Sequence, residues 1–157
     1  MIEGDAVAVR DDPFGAFNFL VKLGDAGGED RVSGGFSEVS GLGSEIQYAE
    51  YRNGNDPDSH PRKVATTSRT NDVVLRRGLI GDLGLFAWLR ATQDGQPDRR
   101  TVTITLLDES RTPVCRFVLD QAQPRKWLGP VLSAKGGGEV AMEELHLVAE
   151  RIEFQSA

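Results

Sequence analysis

The sequence predicts a mainly β domain with one α-helix, closed as a sandwich or barrel. Three observations predict it. Short runs alternate apolar and polar residues with period two, as in Phe17, Phe19, Val21 and Leu23 or Val102, Ile104 and Leu106. Gly- and Pro-containing turns break the chain at short spacing. Only one interior segment, around Trp88, has unambiguous helical spacing. At 157 residues, 39% of them apolar, the chain suits one compact domain better than two undersized ones.

The elements follow in order. Residues 1–13 read as a flexible leader ending at Pro13, and 14–157 as the single domain. Phe14 to Leu23 is the first strand, with Phe17, Phe19 and Val21 on its core face. Gly24 to Asp30 is a turn. Val32–Val39 and Glu45–Arg52 read as two further strands, joined through Ser40-Gly41-Leu42-Gly43-Ser44. Asn53 to Thr70 carries Asn-Gly, Asp-Pro and His-Pro dipeptides and little apolar content, so it is expected to be a long extended loop. Val73, Val74 and Leu75 resume the strand pattern. Asp82 is placed to cap a helix whose stripe is Leu85, Trp88 and Leu89, ending before Gly95 and Pro97. Thr101–Leu106 and Val114–Gln121 form a hairpin across the turn Asp108–Pro113. Trp127 is a packing residue. In Glu139–Phe154 the positions Ala141, Leu145, Val148 and Ile152 make a helical stripe, so periodicity alone favours helix there.

Charge and chemistry exclude several functions. With 18 Lys+Arg against 24 Asp+Glu and a formal charge of −6, the chain lacks the basic surface needed to grip nucleic-acid phosphates or anionic lipid. The acidic start is not a signal peptide, and no apolar run approaches a membrane span of about 20 residues. A single cysteine, Cys115, permits no internal disulfide and no Cys-cluster zinc site. His60 sits in the polar loop and His146 between two leucines, without metal-ligand spacing. Gly41-x-Gly43 lacks the third glycine of a dinucleotide fingerprint, and Asn53-Gly54-Asn55-Asp56 lacks the bidentate Glu of a calcium loop. No catalytic, cofactor or metal constellation is present, and no enzyme activity is expected.

Several blocks carry a resemblance. Asp12-Pro13-Phe14 through Phe17-Asn18-Phe19-Leu20-Val21 opens the series, followed by Gly-Phe-Ser-Glu-Val-Ser-Gly-Leu at Gly35–Leu42 and Tyr51-Arg52-Asn53-Gly54-Asn55-Asp56. Leu75-Arg76-Arg77-Gly78 with Gly81-Asp82, Pro124-x-Lys126-Trp127-x-Gly129-Pro130 and Glu139-Val140-Ala141-Met142-Glu143-Glu144-Leu145 complete it. In this order the blocks resemble the inner tube proteins of contractile injection systems, relatives of contractile-phage tail tube proteins.

The resemblance implies a β-sandwich or barrel-like tail-tube fold in hexameric rings that stack into a hollow tube, driven through a target envelope by sheath contraction to deliver cargo. It implies a long strand over Glu139–Phe154 in place of the helix. Implied partners are copies of the chain, a sheath protein, baseplate components, tape-measure and tube-cap proteins and lumen cargo, within a phage-tail-like particle assembled in the cytoplasm. No membrane insertion, specific nucleic acid or cofactor is implied. The polar loop, with Asn53, Gly54, Asn55, Asp56, Asp58, Arg62, Lys63 and Arg69, would supply ring-stacking contacts between subunits. The alternatives are a tube-initiating paralogue at the baseplate and a small β-domain binding module.

Overall fold

The computed structural model describes residues 9–24, 30–32, 35–55, 57 and 59–157. In chain order the elements are β1 (Phe19–Gly24), β2 (Asp30–Val32), β3 (Glu38–Ser40), β4 (Ser44–Tyr51), β5 (Arg62–Thr70), β6 (Val73–Gly78), α1 (Gly84–Gln93), β7 (Arg100–Leu107), β8 (Pro113–Leu128), β9 (Met142–Val148) and β10 (Arg151–Ser156). The class is mainly β with one helix. Every strand pair among the described residues is antiparallel.

One long strand organises the body. The first half of β8 pairs with β7 on one side and with β10 on the other, and its second half pairs with β9. Between the halves Gln121 has φ 53°, outside extended backbone. Opposite it, β9 and β10 are interrupted at Ala149–Glu150, so the pair of strands bends as a unit. From this corner one wing continues as β7-β1-β2 and the other as β9-β6-β3. Val21, Leu23, Val102, Ile104 and Leu119 from the first wing meet Val73, Leu75, Leu145 and Leu147 from the second in one buried cluster. Leu85 and Trp88 of α1 complete it.

Local chemistry explains the elements. In β6 and β9 buried and half-buried residues alternate, the pattern of a strand covered on one face. The Glu139–Phe154 segment is therefore strand, not helix. The period-two pattern is obscured in the sequence because the buried face carries the charged Glu143 beside Leu145 and Leu147, while the half-buried face carries the apolar Met142 and Val148. Rather than one uninterrupted strand it forms β9 and β10. The expected single strand Val32–Val39 is likewise replaced by β2 and β3, which pair with different neighbours.

Expected core positions divide as follows. Val21, Leu85, Trp88, Val102 and Ile104 are buried. Phe19 and Trp127 are half-buried against the cluster, and Leu89 is half-buried on α1. Leu106 is half-buried, because the β7–β8 register shifts after it and brings Leu107 to the buried position. Phe17 is not in the core but 72% exposed. It lies in a turn before β1 begins, where period-two alternation has not started, and its ring folds back over Gly15. Asp82 is not the helix N-cap, which is Leu83. Asp82 Oδ1 instead accepts the Gly84 N–H at 2.9 Å, still satisfying a free helix donor.

Candidate functional site

The hairpin β4–β5 is the part of the chain that its own core does not explain. Asn53–Thr70, expected as a loop, contains the whole of β5, which pairs with β4 from Ser44↔Thr70 to Tyr51↔Arg62. Loop-like composition and strand structure coincide here because every residue of β4, and β5 from Arg62 to Arg69, is exposed. With no covered face, no apolar face had to be written into the sequence. What remains is β-branched content, Val64, Thr66, Thr67 and Thr70, and opposed charges, Glu45↔Arg69 and Glu50↔Lys63. A register shift between Ile46 and Tyr48 places one extra residue on β5, and the Thr66 hydroxyl donates to the Gln47 carbonyl at 2.9 Å there.

The hairpin leaves the body through a tight neck. Gly41 has φ +83°, and a Cβ on it would lie 2.1 Å from the Asp72 carbonyl oxygen, so only glycine fits. The Asn71 N–H donates to the Gly43 carbonyl at 3.0 Å, closing the neck just below Ser44↔Thr70. Beyond it Ile46, Tyr48, Tyr51 and Val64 are large apolar residues about half exposed.

Of the expected contact residues, Arg62, Lys63 and Arg69 lie on β5 and are exposed. Asn53, Gly54 and Asn55 form the exposed start of the connecting turn, where the Tyr51 hydroxyl donates to Asn53 Oδ1. Asp56 and Asp58 fall outside the described residues. Sequence reasoning missed Ile46, Tyr48 and Val64 as part of the same projecting surface, for which Val64 within the polar segment was the available signal.

A second feature, also missed, is a buried ionic network. Arg77 and Glu143 are 1% and 2% exposed. Arg77 Nε donates to Glu143 Oε1 at 2.6 Å, and the Trp127 indole N–H donates to Glu143 Oε2 at 3.0 Å. The Arg77 guanidinium also donates to the Asp82 carbonyl at 3.2 Å and faces the Asp82 carboxylate at 3.6 Å. The network ties β6, β9, the second half of β8 and the segment leading into α1. Buried charges are tolerated only when paired and hydrogen-bonded in this way. Its sequence signal, Arg77 and Glu143 in otherwise alternating strands, is not distinguishable from two solvated residues.

At the start of the chain, Arg10 makes a bidentate pair with Glu109, both contacts 2.9 Å, and lies over the Phe14 ring. Hydrogen bonding from Arg10 lowers the Glu109 carboxyl to about 2. Asp108 is lowered too, first through the Ser110 hydroxyl and then the Thr112 backbone. Burial pushes the Cys115 thiol up, which disfavours the nucleophilic thiolate. Among the described residues no three His, Cys, Asp or Glu side chains gather as metal ligands, and no helix is long and apolar enough to cross a membrane.

A mainly β, antiparallel body with one helix packed into its core is a fold that this chain shares with tail tube proteins. The chain belongs to the family of the T4-like virus tail tube protein gp19, whose model matches residues 15–153. Among solved structures it is similar to a chain of the extracellular contractile injection system PVC sheath–tube complex in the extended state, at 27% identity and TM-score 0.79, covering 94% of each chain. It is similar to a chain of the anti-feeding prophage tube-terminating cap, at 26% identity and TM-score 0.80, covering 99% of each. The fold alone is shared with Hcp1 from Flavobacterium johnsoniae, at 17% identity and TM-score 0.52, covering 86% of this chain and 94% of that one. No curated protein matches significantly. The chain is thus a tail tube protein of the contractile-injection-system type, and its family and structural neighbours are structural tube proteins.

Proposed function

We propose that this chain is the repeating subunit of the rigid inner tube of a contractile, phage-tail-like particle. Six copies form a ring, rings stack into a hollow tube, and sheath contraction drives the tube through a target envelope with its cargo. The observation that carries this reading is the β4–β5 hairpin, held at a glycine neck yet exposed along its length. Bare strands of this kind are an aggregation liability for a monomer and an asset for a subunit whose neighbours cover them. Asn53, Gly54, Asn55, Asp56, Asp58, Arg62, Lys63 and Arg69 then contribute contacts between rings. Each exposed ion pair is worth only about 0–1 kcal/mol, and repetition around the ring multiplies it.

The sheath is the outer partner, with baseplate, tape-measure and cap proteins at the ends and cargo in the lumen. The subunit works mechanically, without catalysis or cofactor, and is made and assembled in the cytoplasm. Negative-stain microscopy of the purified protein tests the reading: rings or tubes are expected, and monodisperse monomers at every concentration would refute it.

A further inference from the structure

The segment that leads into β1 is tied to the β7–β8 turn at two points. Arg10 makes its bidentate pair with Glu109 there, and the same guanidinium donates to the Pro13 carbonyl at 2.9 Å and lies 4.1 Å from the centre of the Phe14 ring. Asn18 makes the second tie. Its carbonyl accepts the Leu107 N–H at 2.9 Å, and its side-chain amide donates to the Asp108 carbonyl at 3.4 Å. Residues 11–17 therefore leave the turn and return to it as a closed strap. The turn is a firm mount, because Asp108 Oδ1 accepts the Ser110 N–H, the Ser110 hydroxyl and the Thr112 N–H at 2.7–2.9 Å. Those bonds fix the backbone that presents Glu109.

The strap borders an apolar cleft of about 450 Å³, a size that admits a compact organic molecule. Phe14, Gly15 and Ala16 line it, with Ile104 and Phe117 of the first wing and Val39 of the second. Phe14 is the strap's inward side chain: it is half-buried, while Val9 and Phe17 to either side are 96% and 72% exposed. One half-buried ring is a small hold, and charge supplies the rest. The strap carries Asp11 and Asp12, and the turn carries Asp108, Glu109 and Arg111. Arg10 stands between these carboxylates, and Glu109, Asp12 and Asp108 all favour its charge. Without that charge the acidic strap faces an acidic turn, and like charges at close range repel.

We infer that residues 10–18 are a latched strap: the Arg10–Glu109 pair holds Phe14 over the apolar cleft, and release of the pair swings the strap about Asn18 and opens the cleft to apolar molecules. Every group involved lies on one chain, so the device is independent of the tube reading.

Two probes applied to the full chain test it. Nile red, an uncharged dye that fluoresces in apolar surroundings, reports access to the cleft. Chymotrypsin cleavage after Phe14 reports release of the strap. Arg10→Glu is expected to keep its circular dichroism and cooperative unfolding while dye fluorescence and the rate of that cut each rise several-fold over wild type. Adding Glu109→Arg restores opposite charges across the latch, and both readouts should return toward wild type. Equal readouts from wild type and Arg10→Glu would overturn the inference, as would a double variant that stays as open as the single one. Loss of cooperative unfolding in Arg10→Glu would overturn it too, by making the strap part of the core and not a latch upon it.

Discussion

The body strands and the β4–β5 hairpin are built from similar residues and obey different rules. In β6 and β9 each second residue is buried, and Val73, Leu75, Leu145 and Leu147 are wholly inaccessible. In the hairpin, Ile46, Tyr48, Tyr51 and Val64 are as apolar and stay exposed. The body satisfies its apolar residues within one chain, so its stability belongs to the subunit. The hairpin leaves them exposed on its own subunit, and under the proposed function its contribution comes when another chain covers it. Substitutions should therefore separate into two classes, those that unfold the subunit and those that leave it folded and alone.

The largest effect is expected at Ile104. Replacing this 3%-exposed residue with Asp buries an unpaired charge and should abolish cooperative folding, seen as loss of the denaturant transition. Thr103→Asp, on the half-buried opposite face of β7, should leave a folded protein. A folded Ile104→Asp variant would erase the distinction drawn for the body.

Next is the ionic network. Glu143→Ala leaves Arg77 charged and buried without its main partner and should cost about 3–5 kcal/mol in urea unfolding. Combining Arg77→Met with Glu143→Leu should recover much of that loss, because replacing both charges by apolar residues removes the unpaired one.

How much of this was legible in the sequence depended on whether a face was covered. Val21, Val102, Ile104, Leu85 and Trp88 could be placed in the core because burial on one face imposes a period. β5 read as a loop because nothing covers it, and its threonines and valine were overshadowed by Asn-Gly and Asp-Pro turn signals ahead of it. Phe17 was misplaced by extending the β1 alternation two residues too early. The Arg77–Glu143 pair was invisible since the two lie 66 residues apart and become partners only through the β6–β9 register, Arg77↔Glu143. The projecting surface was legible as a location, while its exposed apolar residues Ile46, Tyr48 and Val64 required the structure.

A third, smaller effect concerns Tyr48→Asp on the hairpin. The position is more than half exposed, so the unfolding midpoint should change little, within about 0.5 kcal/mol, while assembly is lost. A large fall in subunit stability would mean that the hairpin packs on its own body.

The smallest concerns acid. The folded Glu109 carboxyl, lowered to about 2 from 4.5 by Arg10, binds its proton less readily than in the unfolded chain. Its contribution is therefore complete above the ordinary carboxylate range and is lost as pH falls from there toward 2. An NMR titration should show Glu109 protonating near the bottom of that window, and Arg10→Ala should return it toward 4.5. The Phe14 ring, freed from Arg10, should shift with it.

The central claim is that the hairpin belongs to the assembly and not to the subunit. Ser44 and Thr70 face each other at its base, so residues 45–69 can be replaced by a two-residue Asn-Gly turn without disturbing the neck. Sedimentation velocity on this variant beside the wild type is the direct measurement. The account predicts a folded monomer for the shortened chain where the wild type sediments as rings or tubes. Shortened chains that assemble like the wild type, or that fail to fold, would contradict it.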